Sequence, residues 1–211
     1  MVGVDGGATG RGDRGQALTL EAVTAALLLL VALGFALQMT AVTPLSASTS
    51  SQHLENQLES TGEGVLASTA DSGALREAVL FWNSSEGEFH NTTQEPYYRA
   101  GAPPNEFGDV LDEVFGSRNI AYNVIIHYET GDGGVATQRM IYQGRPSDHA
   151  ISASRTVELT KQNRIVREDG SRGPTLDSLA DDEFYAEPGV GADGDPLHYN
   201  LVRVEVIAWR I

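Results

Sequence analysis

Gly189-Val190-Gly191-Ala192-Asp193-Gly194 spells the G-x-G-x-x-G pattern. Between a strand and a helix that pattern aims backbone amides at a phosphate. Here no strand pattern precedes it and Asp195-Pro196 follows where a helix should open, so it reads as a loop. Ser147-Asp148-His149 holds the residue types of a nucleophile, an orienting carboxylate and a general base. Adjacent residues do not form a catalytic line and no nucleophile elbow precedes them, so Pro146-Ser147-Asp148 reads as a turn. His53, His90, His127, His149 and His198 are dispersed without metal-ligand spacing, and His127 falls on the polar face of its strand, where a solvated imidazole is expected. Asp177, Asp181, Asp182, Glu183, Asp193 and Asp195 make a long anionic loop. Hard oxygen ligands suit calcium, with Asp193 and Asp195 the nearest to a pair, but the EF-hand spacing is missing and a solvated acidic loop is the default. The expectation is a non-enzymatic chain with no cofactor and no resident metal.

Two further sites concern modification. Asn83-Ser84-Ser85 and Asn91-Thr92-Thr93 match the N-glycosylation acceptor pattern, which marks a surface loop on the outer side of a membrane. Phe81, Trp82, Tyr97, Tyr98 and Trp209 are read as core or loop anchors rather than a carbohydrate platform.

The elements that must position these residues begin with an apolar run. Ala22–Val42 reads AVTAALLLLVALGFALQMTAV, and after Glu21 no charged residue appears until Glu55. As a helix of 1.5 Å rise it would reach about 31 Å, the thickness of a bilayer's hydrocarbon core. Arg11 and Arg14 precede the run and no Lys or Arg follows until Arg76. Basic residues near a span stay cytoplasmic, so the N-terminus is expected inside and the larger domain outside. Ser46, Ala47 and Ser48 could imitate a signal-peptidase site, but the apolar core exceeds the usual length of a cleaved signal. Glu21 stands at the edge of hydrocarbon, where a carboxylate costs on the order of a few kcal/mol unless it is paired or reaches the interface.

Charge and composition narrow the partners. There are 29 acidic against 14 basic side chains, a net charge of −15, and Lys161 is the only lysine. Such a surface repels nucleic-acid phosphates. Many carboxylates with almost no lysine suit life at very high salt, where a Debye length of roughly 3 Å screens self-repulsion; the alternative is an ordinary acidic extracellular domain. With no cysteine, disulfides, thiol catalysis and a lipid-modified cysteine anchor are excluded.

The pattern divides the chain into a leader, 1–15, expected to be disordered, cytoplasmic or cut away; a transmembrane helix, 16–45; and an extracytoplasmic head, 46–211. Pro44 sits where a helix would kink or restart. Leu54, Leu58, Val65, Leu66, Leu75, Val79 and Leu80 recur near helical spacing, an amphipathic continuation weakened at Gly62, Gly64 and Gly73. Residues 83–104 read as a loop. Asn105 caps a short helix carrying Phe107, Val110, Leu111, Val114 and Phe115, which stops at Gly116. In 120–129, Ile120, Tyr122, Val124, Ile126 and Tyr128 share one face. Gly131-Asp132-Gly133-Gly134 signals a hairpin into 135–143, and further strands are expected at 151–160 and 199–210. Residues 161–197 read as an excursion with one helical turn near Thr175–Ala180. The fold class is therefore α+β: a long N-terminal helix, half transmembrane and half amphipathic, lying across an antiparallel sheet of about four strands.

That layout, with Arg14-Gly15-Gln16 and Glu21 ahead of the span, resembles the type IV pilin superfamily, and within it the small pilin-like membrane proteins of halophilic archaea. The resemblance implies that a prepilin peptidase cuts after Gly15, leaving Gln16 as the first mature residue. It also implies that Glu21 neutralises the terminal amine of a neighbouring subunit, while Ala22–Val42 packs with other pilin-like subunits. Cutting after Gly15 makes Glu21 the sixth mature residue; cutting after Gln16 gives the family's fifth position. The implied function is a minor or accessory structural subunit of a cell-surface filament or envelope assembly. The alternative is a permanently anchored extracellular binding or adhesion domain that does not polymerise.

Overall fold

A computed structural model describes residues 12–180 and 182–211, with side chains described outside 12–17 and 38–51. The chain forms two units, Met1–His53 and Leu54–Ile211. Helix α1, Gly12–Ser72, belongs to both. Of the segment 1–15, Gly12–Gly15 are described and are helical backbone, so this part is not disordered. Helical backbone also passes through Pro44, where a kink or restart was anticipated, so the helix does not restart there. Arg11, Asp181 and the side chains of Ser46, Ala47 and Ser48 lie outside the described residues.

Within Leu54–Ile211, α1 buries Leu58, Gly62, Val65, Leu66 and Thr69, positions three and four apart that make one stripe. Two of the three glycines thought to weaken the helix sit inside it. A side chain at Gly62 would meet the Ala153 Cβ at 3.1 Å, so glycine there permits close helix–sheet approach, whereas Gly64 faces open space. The third, Gly73, at φ 88°, turns the chain into α2, Ala74–Val79, a conformation that costs glycine little. Helix α3, Glu106–Val114, starts as expected: the Asn105 side chain accepts from the Gly108 amide at 3.0 Å. Gly116 then opens a 3-10 turn, Gly116–Arg118.

Four antiparallel strands form the main sheet in the order β4-β3-β8-β5. They are β3 (Ile120–Glu129), β4 (Val135–Tyr142), β5 (Ile151–Thr160) and β8 (His198–Arg210). The final strand therefore lies between β3 and β5, so the sheet is not a simple meander. A bulge between Val124 and Ile125 shifts the β3–β4 register and leaves Met140 as the extra residue, fully buried. The period-two reading of β8 holds: Val202, Val204, Val206 and Ala208 are all at 0% exposure. They meet Val124 and Ile126 of β3, Leu66 of α1, and Phe107 and Leu111 of α3 in one apolar core. Burying each such side chain stabilises by about 1.5–3 kcal/mol.

Two segments read as loops contain small hairpins. In the first, β1 (Trp82–Asn83) pairs with β2 (Glu88–Phe89). In the second, β6 (Arg164–Val166) pairs with β7 (Arg172–Thr175), ahead of a 3-10 turn at Leu176–Ser178. The first hairpin is held by aromatic packing: Trp82 stands edge-on to Phe89 at 5.1 Å and against Tyr185 at 4.9 Å.

Candidate functional site

Leu18–Leu37 is a 20-residue segment of mean hydropathy 2.3 with none of its residues buried inside the chain. By length and composition it is able to cross a membrane, and a signal sequence meets the same criterion. Apolar area left in water costs roughly 25 cal/mol per Å², so a row such as Leu27, Leu28, Leu29, Leu30 and Leu33 requires a cover from outside the chain. Glu21 is exposed on the same helix, and the Thr24 hydroxyl is satisfied internally by the Leu20 carbonyl at 2.5 Å. Gly15 and Gln16 are helical backbone, while their side chains fall outside the described residues.

The two sequons differ. Asn83 is half-buried in β1, its amide donating to the Glu86 carboxylate at 2.7 Å while its oxygen accepts from the Ser85 amide at 3.1 Å. Asn91 is exposed, at φ 63°, in the turn that follows β2. Phe81, Trp82, Tyr98 and Trp209 are buried, and Tyr97 is half-buried against Tyr142. Burial pushes the Tyr98 hydroxyl far above its usual range, helped by the nearby Glu88 charge.

Ser147, Asp148 and His149 lie in a turn, with the Ala150 amide on the Ser147 carbonyl at 3.1 Å. The His149 ring meets Glu55 at 2.8 Å. Gly189–Gly194 is a loop, and Gly191 has φ 91°. His127 corrects an expectation. Rather than a solvated imidazole, it is partly buried, with Nε2 2.7 Å from Glu205. Glu205 also accepts from the Ser152 hydroxyl at 2.6 Å. Burial raises the Glu205 carboxyl, but the bonds from Ser152 and His127 outweigh it and hold the group below the ordinary range. The cluster is no hydrolytic triad, because the carboxylate stands between serine and histidine rather than behind the histidine.

Lys161 went unremarked in the sequence except as a count. Its ammonium donates to the Ala192 carbonyl at 2.8 Å and the Asp195 carbonyl at 3.3 Å. The Asp195 carboxylate meanwhile accepts from the amides of Leu197 and His198, which lower its pKa. The Asp193–Asp195 region considered for calcium thus has a lysine as its cation. Among the described residues no group of three or more His, Asp or Glu is arranged to hold a metal.

Concave surface on the head falls in distinct places. An open groove of about 960 Å³ runs between the two small hairpins, lined by Trp82, Asn83, His90, Arg167, Asp169 and Glu183 among others. A second, of about 380 Å³, lies where α1 meets the ends of β3 and β8, lined by Leu54, Gln57, Leu58, Thr61, Arg118, Ile120 and Arg210. Sequence reasoning missed it because its residues come from three distant segments.

Fold and surface together define a class: an α+β chain with one helix able to span a membrane and a helix-on-sheet unit after it. Residues 14–208 match the model of a Family of unknown function (DUF7288), and the chain belongs to that family. No curated protein and no solved structure matches it.

Proposed function

We propose that this chain is a pilin-like, non-enzymatic structural subunit. In this reading it is a minor or accessory component of a cell-surface filament or envelope assembly in a salt-adapted cell. Its N-terminal helix sits in the membrane with the terminus cytoplasmic, and the head lies outside, glycosylated at Asn83 and Asn91. The observation that carries the reading is the wholly uncovered apolar helix Leu18–Leu37 bearing one carboxylate, Glu21, near its start. Lipid and the helices of neighbouring subunits would both cover such a surface. Small residues such as Ala22, Ala25, Ala26 and Gly34 would permit close helix packing. A terminal amine of ordinary pKa near 8 would be charged and would pair with Glu21.

The deciding experiment is the N-terminal residue of protein recovered from native membranes, read by peptide mass spectrometry. A mature start at Gln16 or Ala17 supports prepilin-peptidase processing and the subunit reading. An intact start upstream of Arg11 favours the second reading, a permanently anchored binding domain. The open groove between the small hairpins is the observation on that side. A start near Ala47 would mean that the apolar run is a discarded signal.

A further inference from the structure

The head is electrically two-ended. At one end of β3, Arg118 and Arg210 flank an apolar floor made by Leu54, Leu58 and Ile120. Neither guanidinium has an ion pair or side-chain hydrogen bond among the described residues, and no carboxylate lines the groove. The nearby Glu55 is engaged by His149. Leu54 is 39% exposed, while Leu58 and Ile120 are buried beneath it, so Leu54 is the apolar side chain the groove offers a partner.

At the other end of β3 the turn Thr130–Gly134 carries the opposite character. Val135 and Val190 are 68% and 56% exposed, and Val190 stands within 3.7 Å of where a side chain at Gly133 would be. Glu129, Asp132 and Glu187 surround them: Glu187 approaches Gly131 and Glu129 approaches Gly189. Bonds from Thr130 and the Gly134 amide lower the Asp132 pKa, keeping it anionic. Nine strand rises of about 3.4 Å separate the two ends by about 31 Å.

We propose that the Arg118–Arg210 groove receives the acidic, valine-bearing turn of a second copy of this chain, joining heads end to end. The second copy is the occupant because both halves of one complementary contact lie on a single head, opposite in charge, with Leu54 exposed on one and Val135 and Val190 on the other. Two different patches in contact make a heterologous interface, which propagates instead of closing into a dimer. The contact rests on the assembly reading, in which chains of net charge −15 meet through one basic and one acidic face at contact distance, where salt screens least.

Absence of cysteine makes the test clean. Gln57→Cys and Val190→Cys are made separately in the full chain and expressed singly or together in membranes, then oxidised. A Gly34→Cys chain reports helix contacts in parallel. The expected result is a disulfide-linked dimer in the mixed sample, at least ten-fold above either single variant. Arg118→Glu with Arg210→Glu should abolish that product, and Glu187→Lys with Asp132→Lys should restore it in part. Gln57→Cys dimers forming alone would overturn the proposal in favour of a symmetric contact. Gly34 cross-links without any Gln57–Val190 product would overturn it while leaving helix assembly standing. If Gly34 fails as well, the subunit reading falls with it.

Discussion

Glu205 is the residue whose environment makes the sharpest claim about pH. Its carboxyl is held below the ordinary range in the folded head, so the unfolded chain binds its proton at higher pH than the folded one. Stability from this group is therefore complete above the unfolded carboxyl pKa of about 4.3 and fades as pH falls through the folded value. Replacing Glu205 with Gln should flatten the acid limb of a stability-versus-pH curve below about pH 5. Denaturant midpoints at a series of pH values would read this, and an unchanged acid limb would reject the role. Lys161 makes a second residue-scale claim. Lys161→Met removes a cationic donor from two loop carbonyls and should cost about 1–3 kcal/mol. Amides of residues 189–197 should then exchange hydrogen faster than in the parent chain. Neither pairing was legible in the sequence. His127 and Glu205 are 78 residues apart and meet only because β3 and β8 lie side by side. What the alternation did convey was the face on which His127 stands, which is a weaker statement than what touches it.

At the scale of elements, glycine separates two kinds of position in one helix. Gly64→Ala should stabilise by up to about 1 kcal/mol, because the site faces open space and alanine holds a helix better. Gly62→Leu should destabilise by about 1–3 kcal/mol, since Ala153 already stands against the helix there. Thermal unfolding of the two variants side by side tests the helix-on-sheet contact, and equal melting temperatures would argue against it. Gly108 is stricter still: a Cβ there would fall 1.9 Å from the Pro103 carbonyl oxygen, so even alanine should disrupt α3. Strands β3 and β8 were readable from apolar residues at period two, β5 from a looser alternation, and β4 from the glycine-rich turn that precedes it. Hairpins of two to four residues offer too short a run for any period to show. Trp82, Phe89 and Tyr185 hold the first of them through packing across distant sequence, and Val166 joins the second to Leu80 by a backbone bond of 2.8 Å.

For the whole molecule, the apolar segment and the α+β head were legible because bilayer thickness and core burial impose long, regular signals. The Arg118–Arg210 groove was not legible, since it draws on α1, the turn after α3 and the end of β8. If helices pack as proposed, Glu21→Ala should lower the yield of Gly34→Cys cross-links several-fold in native membranes, and an unaltered yield would return Glu21 to a plain interfacial carboxylate. A different consequence comes from the order of strands in the sheet. One of its two inner strands, β8, is the last of the four to leave the ribosome. Until it arrives, β3 and β5 have no shared neighbour, and the valines that fill the core between them are still unmade. Long-range pairing of this kind is slow and leaves strand edges open meanwhile. If the head is exported, β3 and β5 cross ahead of the strand that joins them, and the four-stranded sheet closes only once β8 has followed.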